Sequence, residues 1–218
     1  EEEQMKNVLV IGLGRFGRHM ARKLIEEGNE VLAVECNEER ADACVEIVQN
    51  IQIGDATDER FMHSLGVDNF DLCVVGIGDN FQTVLEITVL LKDLGAPYVI
   101  ARANRDVHKK LLLRNGADYV VYGERELAER LAVKFGAENI FDYIVLDSDY
   151  AIYEIAVPVK WYGKSIVELA VRNRYKVSIL ATRKNGKIHP LPHQDHVFSP
   201  EETLMVMGDE ENIRAITR

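Results

Sequence analysis

From residue 6 to about residue 122, short apolar runs alternate with stretches in which apolar positions recur every three or four residues. The runs at 7–11, 30–34, 51–53, 72–76, 98–102 and 119–122 predict strands, and the stretches near 16–27, 38–48, 58–65, 81–94 and 106–115 predict helices. Runs such as 8–11 and 72–75 carry no polar residue on either side, which fits a parallel sheet covered on both faces. Gly28, Gly66, Gly95 and Gly116 stand where four of the helices should stop, a position that favours glycine. Strands and helices in this rhythm predict an α/β fold, a Rossmann-like doubly wound parallel sheet.

A further helix is expected at 124–135, and after it the pattern changes. Residues 143–146, 151–157, 177–182, 187–189 and 204–207 read as strands, with Asn185-Gly186 as a hairpin signal between two of them. Helices fit 165–171 and 210–216. These elements make a small α+β C-terminal domain. The chain is expected to divide into residues 1–138 and 139–218, with the boundary between Gly136 and Asp142. No internal repeat or low-complexity segment interrupts it.

Composition narrows the partners. The 218 residues are 47% hydrophobic, and 36 acidic against 26 basic residues give a net charge of −10. So acidic a surface argues against nucleic acid or anionic lipid as the main partner. The longest apolar stretch, 83–94, contains Glu86, Lys92 and Asp93 and is too short for a membrane span. The first residues, Glu-Glu-Glu-Gln-Met-Lys, lack the basic-then-apolar profile of a signal peptide, so a cytoplasmic, soluble chain is expected. Cys36, Cys44 and Cys73 are scattered, without a C-x-x-C pair or a histidine at ligand spacing, and read as buried free thiols.

The chemistry is concentrated where the first strand breaks into Gly12-Leu-Gly14-Arg15-Phe16-Gly17 and then into a helix. In such a G-x-G-x-x-G loop, Gly12 makes the tight turn, Gly14 lets a phosphate approach the backbone and Gly17 lets the helix pack on the strand. The helix N-terminus adds free N–H groups and a partial positive charge. Glu35, at the end of the second strand, stands where an acid accepts hydrogen bonds from ribose hydroxyls, and its charge disfavours the 2′-phosphate of NADP. Asp55, after the third strand, fits either an adenine-contacting loop or the cap of the next helix. Arg15 bears on which nucleotide is bound. The pyrophosphate of NAD is served by backbone N–H groups, whereas an added guanidinium suits a third phosphate, as in ATP. The competing reading is a helix-start arginine paired with a surface acid.

No catalytic constellation accompanies this loop. His19, His63 and His108 fall within predicted helices, and His189, His193 and His196 with Asp195 fit a solvated loop better than a metal site. No Walker A, H-E-x-x-H or G-x-S-x-G pattern occurs. Without a proton relay beside a nicotinamide an enzyme is not expected; a small NAD-dependent oxidoreductase and an NADH redox sensor stand as alternatives. The helix at 81–94 carries Val84, Leu85, Ile87, Val89, Leu90 and Leu91, wider than one core-facing stripe; such a helix is either buried on both sides or covers a subunit interface, and the interface is the favoured expectation.

Val10-Ile-Gly-Leu-Gly-Arg15-Phe-Gly17, Leu32-Ala-Val-Glu35-Cys-Asn37-Glu-Glu-Arg40, Gly54-Asp-Ala-Thr57, Ile77-Gly78-Asp79-Asn80 and Arg114-Asn-Gly-Ala-Asp118 together resemble the RCK/KTN (TrkA-N) regulatory domain of bacterial Trk and Ktr potassium transporters. Gly163-Lys-Ser-Ile166 and Leu204-Met-Val-Met-Gly208-Asp are similar to its TrkA-C partner, and a single N-plus-C pair is closest to the KtrA/KtrC type. The resemblance implies a non-catalytic subunit, cytoplasmic and peripheral on the inner face of the membrane. It also implies that eight copies form a ring, dimeric through the C-domains, that gates an integral membrane potassium transporter, with ATP favouring the activating ring shape and ADP or NAD(H) favouring others. By the same resemblance Gly12, Gly14, Phe16 and Gly17 hold phosphates and Arg15 reaches the γ-phosphate. Glu35 and Asn37 hold ribose, Asp55, Ala56 and Thr57 surround adenine, Gly78 and Asp79 line the site, and Arg102 faces the phosphates. Glu124 matches an acid that helps hold a divalent cation, Mg or Ca, between nucleotides of neighbouring subunits, where two triphosphates would otherwise repel. The family often has Asp where Glu35 stands. Some Ktr relatives bind cyclic di-AMP at a dimer interface of the C-module, and Ile166, Val167, Arg172, Asn173 and Pro190 fall at comparable places; Arg172 also suits a helix C-terminal cation.

Overall fold

The computed structural model describes residues 5–147 and 149–217, and the chain divides between Arg125 and Glu126 into two compact units. The first unit runs β1 (Asn7–Ile11), α1 (Arg15–Glu26), β2 (Glu30–Glu35), α2 (Glu38–Asp42), β3 (Asn50–Ile53), α3 (Glu59–Ser64), β4 (Leu72–Val75), α4 (Phe81–Asp93), β5 (Val99–Arg102), α5 (Asp106–Arg114) and β6 (Tyr119–Val121). Its strands are all parallel, in the order β3-β2-β1-β4-β5-β6. Central β1 pairs on both sides, Val8 with Val31 and Leu72, Ile11 with Val34 and Val75.

Alternation along β1 feeds two cores. Val8 and Val10 join Phe16, Met20 and Leu24 of α1 on one face, while Leu9 and Ile11 join Met62 of α3, Ile87 and Leu91 of α4 and Leu112 of α5 on the other. Each fully buried Leu or Ile contributes about 1.5–3 kcal/mol, which commits β1 to the middle of the sheet. Strand order reverses between β1 and β4, and open α/β sheets place ligands in the crevice beyond the carboxyl ends at that point.

One helical expectation is corrected here and another narrowed. The stretch 38–48 forms only α2, after which Cys44 N bonds to Ala41 O and Val48 N to Cys44 O in turns that drop Cys44 and Val48 into the core. In α4, Val84, Ile87, Thr88 and Leu91 are buried and Leu85 and Leu90 pack against the same core, so much of its apolar breadth is taken up inside the unit.

Helix α6 (Gly123–Gly136) runs across the division. The second unit continues with β7 (Ile140–Val145), β8 (Ala151–Ala156), α7 (Ile166–Leu169), α8 (Val171–Tyr175), β9 (Ser178–Lys184), β10 (Lys187–Pro190), β11 (Glu202–Gly208) and α9 (Glu210–Thr217). Its sheet is antiparallel, in the order β10-β9-β11-β8-β7, over a core of Trp161, Phe198, Ile155, Leu204 and Ile213. Asn185 and Gly186 both have positive φ, the conformation a tight hairpin requires, and join β9 to β10. The helix expected at 165–171 is two short helices. Ser165 and Glu168 form a capping box that starts α7, and Ala170 at φ 48° breaks it from α8.

Candidate nucleotide site

The glycine loop is built by close approach. A Cβ on Gly17 would lie 1.8 Å from the Gly12 carbonyl oxygen, so α1 can rest on β1 here only without one. Gly12 itself has φ +88° and leaves no room beside Ile77. Gly14 is the opposite case: a Cβ there meets nothing within 4 Å, because that edge of the loop faces open space. Gly14 is also the N-cap of α1, with no side chain capping it and no acid in the first turn. The first N–H groups of α1 therefore stay available to an anion, and exposed Arg15 stands among them. Gly76, at the end of β4, belongs to the same seam, since a Cβ there would lie 2.9 Å from Gly12 O and 3.1 Å from Gly17 Cα. Its only sequence signal is a second glycine closing an apolar strand.

Glu35 ends β2 with its carboxylate buried beneath the loop. Oε2 accepts from Leu13 N at 2.8 Å and Oε1 from Asn37 N at 3.0 Å, and Arg40 Nη1 lies 3.3 Å from Oε1. Burial alone pushes this carboxyl up, but the two N–H bonds and the Arg40 charge outweigh it and hold Glu35 below the usual carboxylate range. Gly54 N donates to Glu35 O at 3.1 Å, which brings the Asp55-Ala56-Thr57 loop beside it.

Other predicted residues are already engaged. Asn37 Oδ1 caps α2 by accepting from Arg40 N at 2.8 Å, so that oxygen is committed to the helix rather than free for ribose. Asp55 does not cap α3. It accepts from Thr57 N and Thr57 Oγ1, and Asp58 is the cap, accepting from Arg60 N and Phe61 N. Ala56 is buried, while Thr57 and Asp79 are exposed, and Asn80 caps α4.

A second cluster lies at the ends of β4, β5 and β6. The Arg102 guanidinium lies over Phe16, 4.9 Å from the ring centroid, and Nη2 stands 3.5 Å from Glu124 Oε1. A Cβ on Gly78 would come within 2.7 Å of Arg102 Nη1, so that glycine makes room for the guanidinium. The structure thus joins Phe16, Gly78, Arg102 and Glu124 at the carboxyl edge of the sheet. Among the described residues no three His, Cys, Asp or Glu side chains form a metal-holding group, so Glu124 is one donor at most.

In the second unit, Ile166 N and Val167 N donate to His196 O and Gln194 O, tying the start of α7 to the loop that follows Pro190. Arg172 and Asn173 lie on α8, and Pro190 ends β10. His189, His193 and Asp195 are exposed, as expected of a solvated loop, while His196 Nε2 meets both oxygens of buried Glu202, at 3.2 and 3.0 Å. A cleft of about 750 Å³ also opens in this unit, lined by Val133, Ile140, Tyr143, Tyr153, Ile213 and Arg214 among others. It contains none of the residues singled out for chemistry.

The TrkA-N domain family matches residues 8–123, and the TrkA-C domain family matches residues 150–218. The chain is 35% identical over 208 residues to Ktr system potassium uptake protein C of Bacillus subtilis (strain 168), covering 95% of this chain and 94% of that one. It is 36% identical over 209 residues to Ktr system potassium uptake protein A of the same strain, covering 96% and 94%. Among solved structures, the GsuK channel bound to NAD aligns with a TM-score of 0.70 and 22% identity, over 99% of this chain and 39% of that one, a likeness of fold.

Proposed function

We propose, for a chain that belongs to the TrkA-N/TrkA-C family of potassium uptake proteins, that it is a nucleotide-sensing regulatory subunit and not an enzyme. It gates an integral membrane potassium transporter from the cytoplasmic side, bound peripherally through that partner. The names of its relatives support the transport role, and among the described residues no helix is long and apolar enough to cross a membrane. It assembles with itself, as C-domain dimers within an octameric ring. ATP favours one ring conformation, and ADP or NAD(H) favours others.

The observation that carries this reading is the exposed Arg15 in the uncapped first turn of α1, beside the open edge of Gly14. Gly12, Gly14, Phe16 and Gly17 frame the phosphates, Arg15 reaches the third, and Glu35 takes the ribose. The Asp55-Ala56-Thr57 loop lies toward adenine, and Gly78, Asp79 and Arg102 line the far side. Glu124 shares a divalent cation with a neighbouring subunit. Cyclic di-AMP is the proposed second ligand, at Ile166, Val167, Arg172, Asn173 and Pro190. Calorimetry with ATP and ADP tests the first of these roles. A hydrogen bond between charged groups contributes about 1.5–3 kcal/mol, so Arg15→Ala should weaken ATP by about ten- to a hundredfold and ADP by much less. Equal losses for both nucleotides would show that Arg15 does not read the third phosphate.

A further inference from the structure

The Glu35 carboxylate is only 2% exposed, and a buried charge is costly unless its acceptor positions are filled. A carboxylate offers about four such positions. Leu13 N fills one on Oε2 and Asn37 N fills one on Oε1. The remaining pair, one on each oxygen, is spanned by a single nitrogen, Arg40 Nη1, at 3.3 and 3.4 Å. The Cys36 thiol also approaches Oε1, at 3.6 Å, as a weak donor. The Arg40 contacts are long and shared, and they come from a side chain 52% exposed. Its backbone is held by the cap from Asn37, so the side chain can swing away without disturbing α2.

Two adjacent ribose hydroxyls make the same demand as that nitrogen, one O–H donor to each carboxylate oxygen. We propose that Arg40 is the stand-in for the ribose cis-diol: it satisfies Glu35 in the free protein, and a ribonucleotide must displace it. Arg40 is thereby a specificity-determining residue of the nucleotide site, because a ligand without hydroxyls cannot replace the guanidinium and leaves it on Glu35. This deepens the nucleotide reading above and rests on it.

The sign of the effect is what tests it. A cation that merely attracted polyphosphate, or merely supported α2, would lower affinity when removed. Displacement predicts the reverse. Breaking a half-exposed ion pair opposes binding by about two- to fivefold, so Arg40→Ala should tighten ATP by about that factor. The gain should be absent for 2′,3′-dideoxy-ATP, which leaves the Arg40–Glu35 pair in place, and smaller for Arg40→Gln, which keeps a donor. Calorimetry of both ligands against the three proteins decides it, with matching far-ultraviolet dichroism showing that the variants fold alike. Weaker ATP binding, or the same change for ATP and its dideoxy analogue, overturns the proposal while leaving the nucleotide site intact. A wild-type chain that binds neither ligand overturns the nucleotide reading, and this inference with it.

Discussion

Asp142 on β7 accepts two parallel bonds from Arg130 on α6, from Nε and Nη2 at 2.9 Å each, and a third from Tyr143 N; Lys134 Nζ stands 3.5 Å away. The Arg130 fork is the main reason this carboxyl is held down at about 2, against the upward push of burial. A group whose folded pKa lies below its unfolded value near 3.9 stabilises the fold fully above that value, and the stabilisation is lost as pH falls through the folded one. Water screens the half-exposed arginine, which limits the pair to about 1 kcal/mol. Asp142→Asn should therefore lose about 1 kcal/mol near neutral pH and converge on the wild type as pH falls from about 4 to about 2. Urea unfolding across that range measures it, and a gap that persists at the acid end would mean that the carboxylate charge is not the cause. Residues of this kind differ in how visible they are in sequence. Gly12, Gly14 and Gly17 are legible because their constraint is steric and local. Glu35 is legible by its distance from the loop. Arg40 and Gly76 are not, since their partners, a side chain reached around a turn and a backbone oxygen on another strand, exist only after folding.

At the scale of elements, α6 carries an apolar face that the described residues leave largely exposed. Leu127, Leu131 and Phe135, spaced by four, are 57%, 42% and 79% exposed, and no residue of the helix is buried. Such a stripe marks an interaction surface, and the proposed self-association supplies a second copy to cover it. Burying a leucine is worth about 1.5–3 kcal/mol, so Leu131→Asp should raise the dissociation constant of the assembly by more than about tenfold. Light scattering coupled to gel filtration reads this directly, with far-ultraviolet dichroism confirming the helix. An unchanged mass at low concentration would remove α6 from the interface. The sequence pattern pointed to α4 instead, because periodicity reports the width of an apolar stripe and not which neighbours fill it. The break at Ala170 was equally hidden, since neither glycine nor proline stands there to announce it.

At the scale of the molecule, the first sheet was legible to its class because a run of strand-helix units with right-handed crossovers leaves few topologies. The second was legible only as a set of strands, since the placing of β11 between β9 and β8 depends on pairing remote in sequence. The proposed sensing carries a requirement at this same scale. A ligand with equal affinity for two shapes shifts neither, and moving a population from 1:99 to 99:1 takes about a 10⁴-fold difference, or about 5.5 kcal/mol. One charge-assisted contact at Arg15 supplies about 1.5–3 kcal/mol, too little by itself. Two to four such contacts suffice, but only if the copies in one assembly switch together, so that their increments add. ATP titrated against ADP should then change the small-angle scattering of the assembly along a sigmoidal curve with a Hill coefficient above one, and Arg15→Ala should flatten it. A hyperbolic curve would mean that each copy responds alone, leaving the third-phosphate contact too weak to drive the gate.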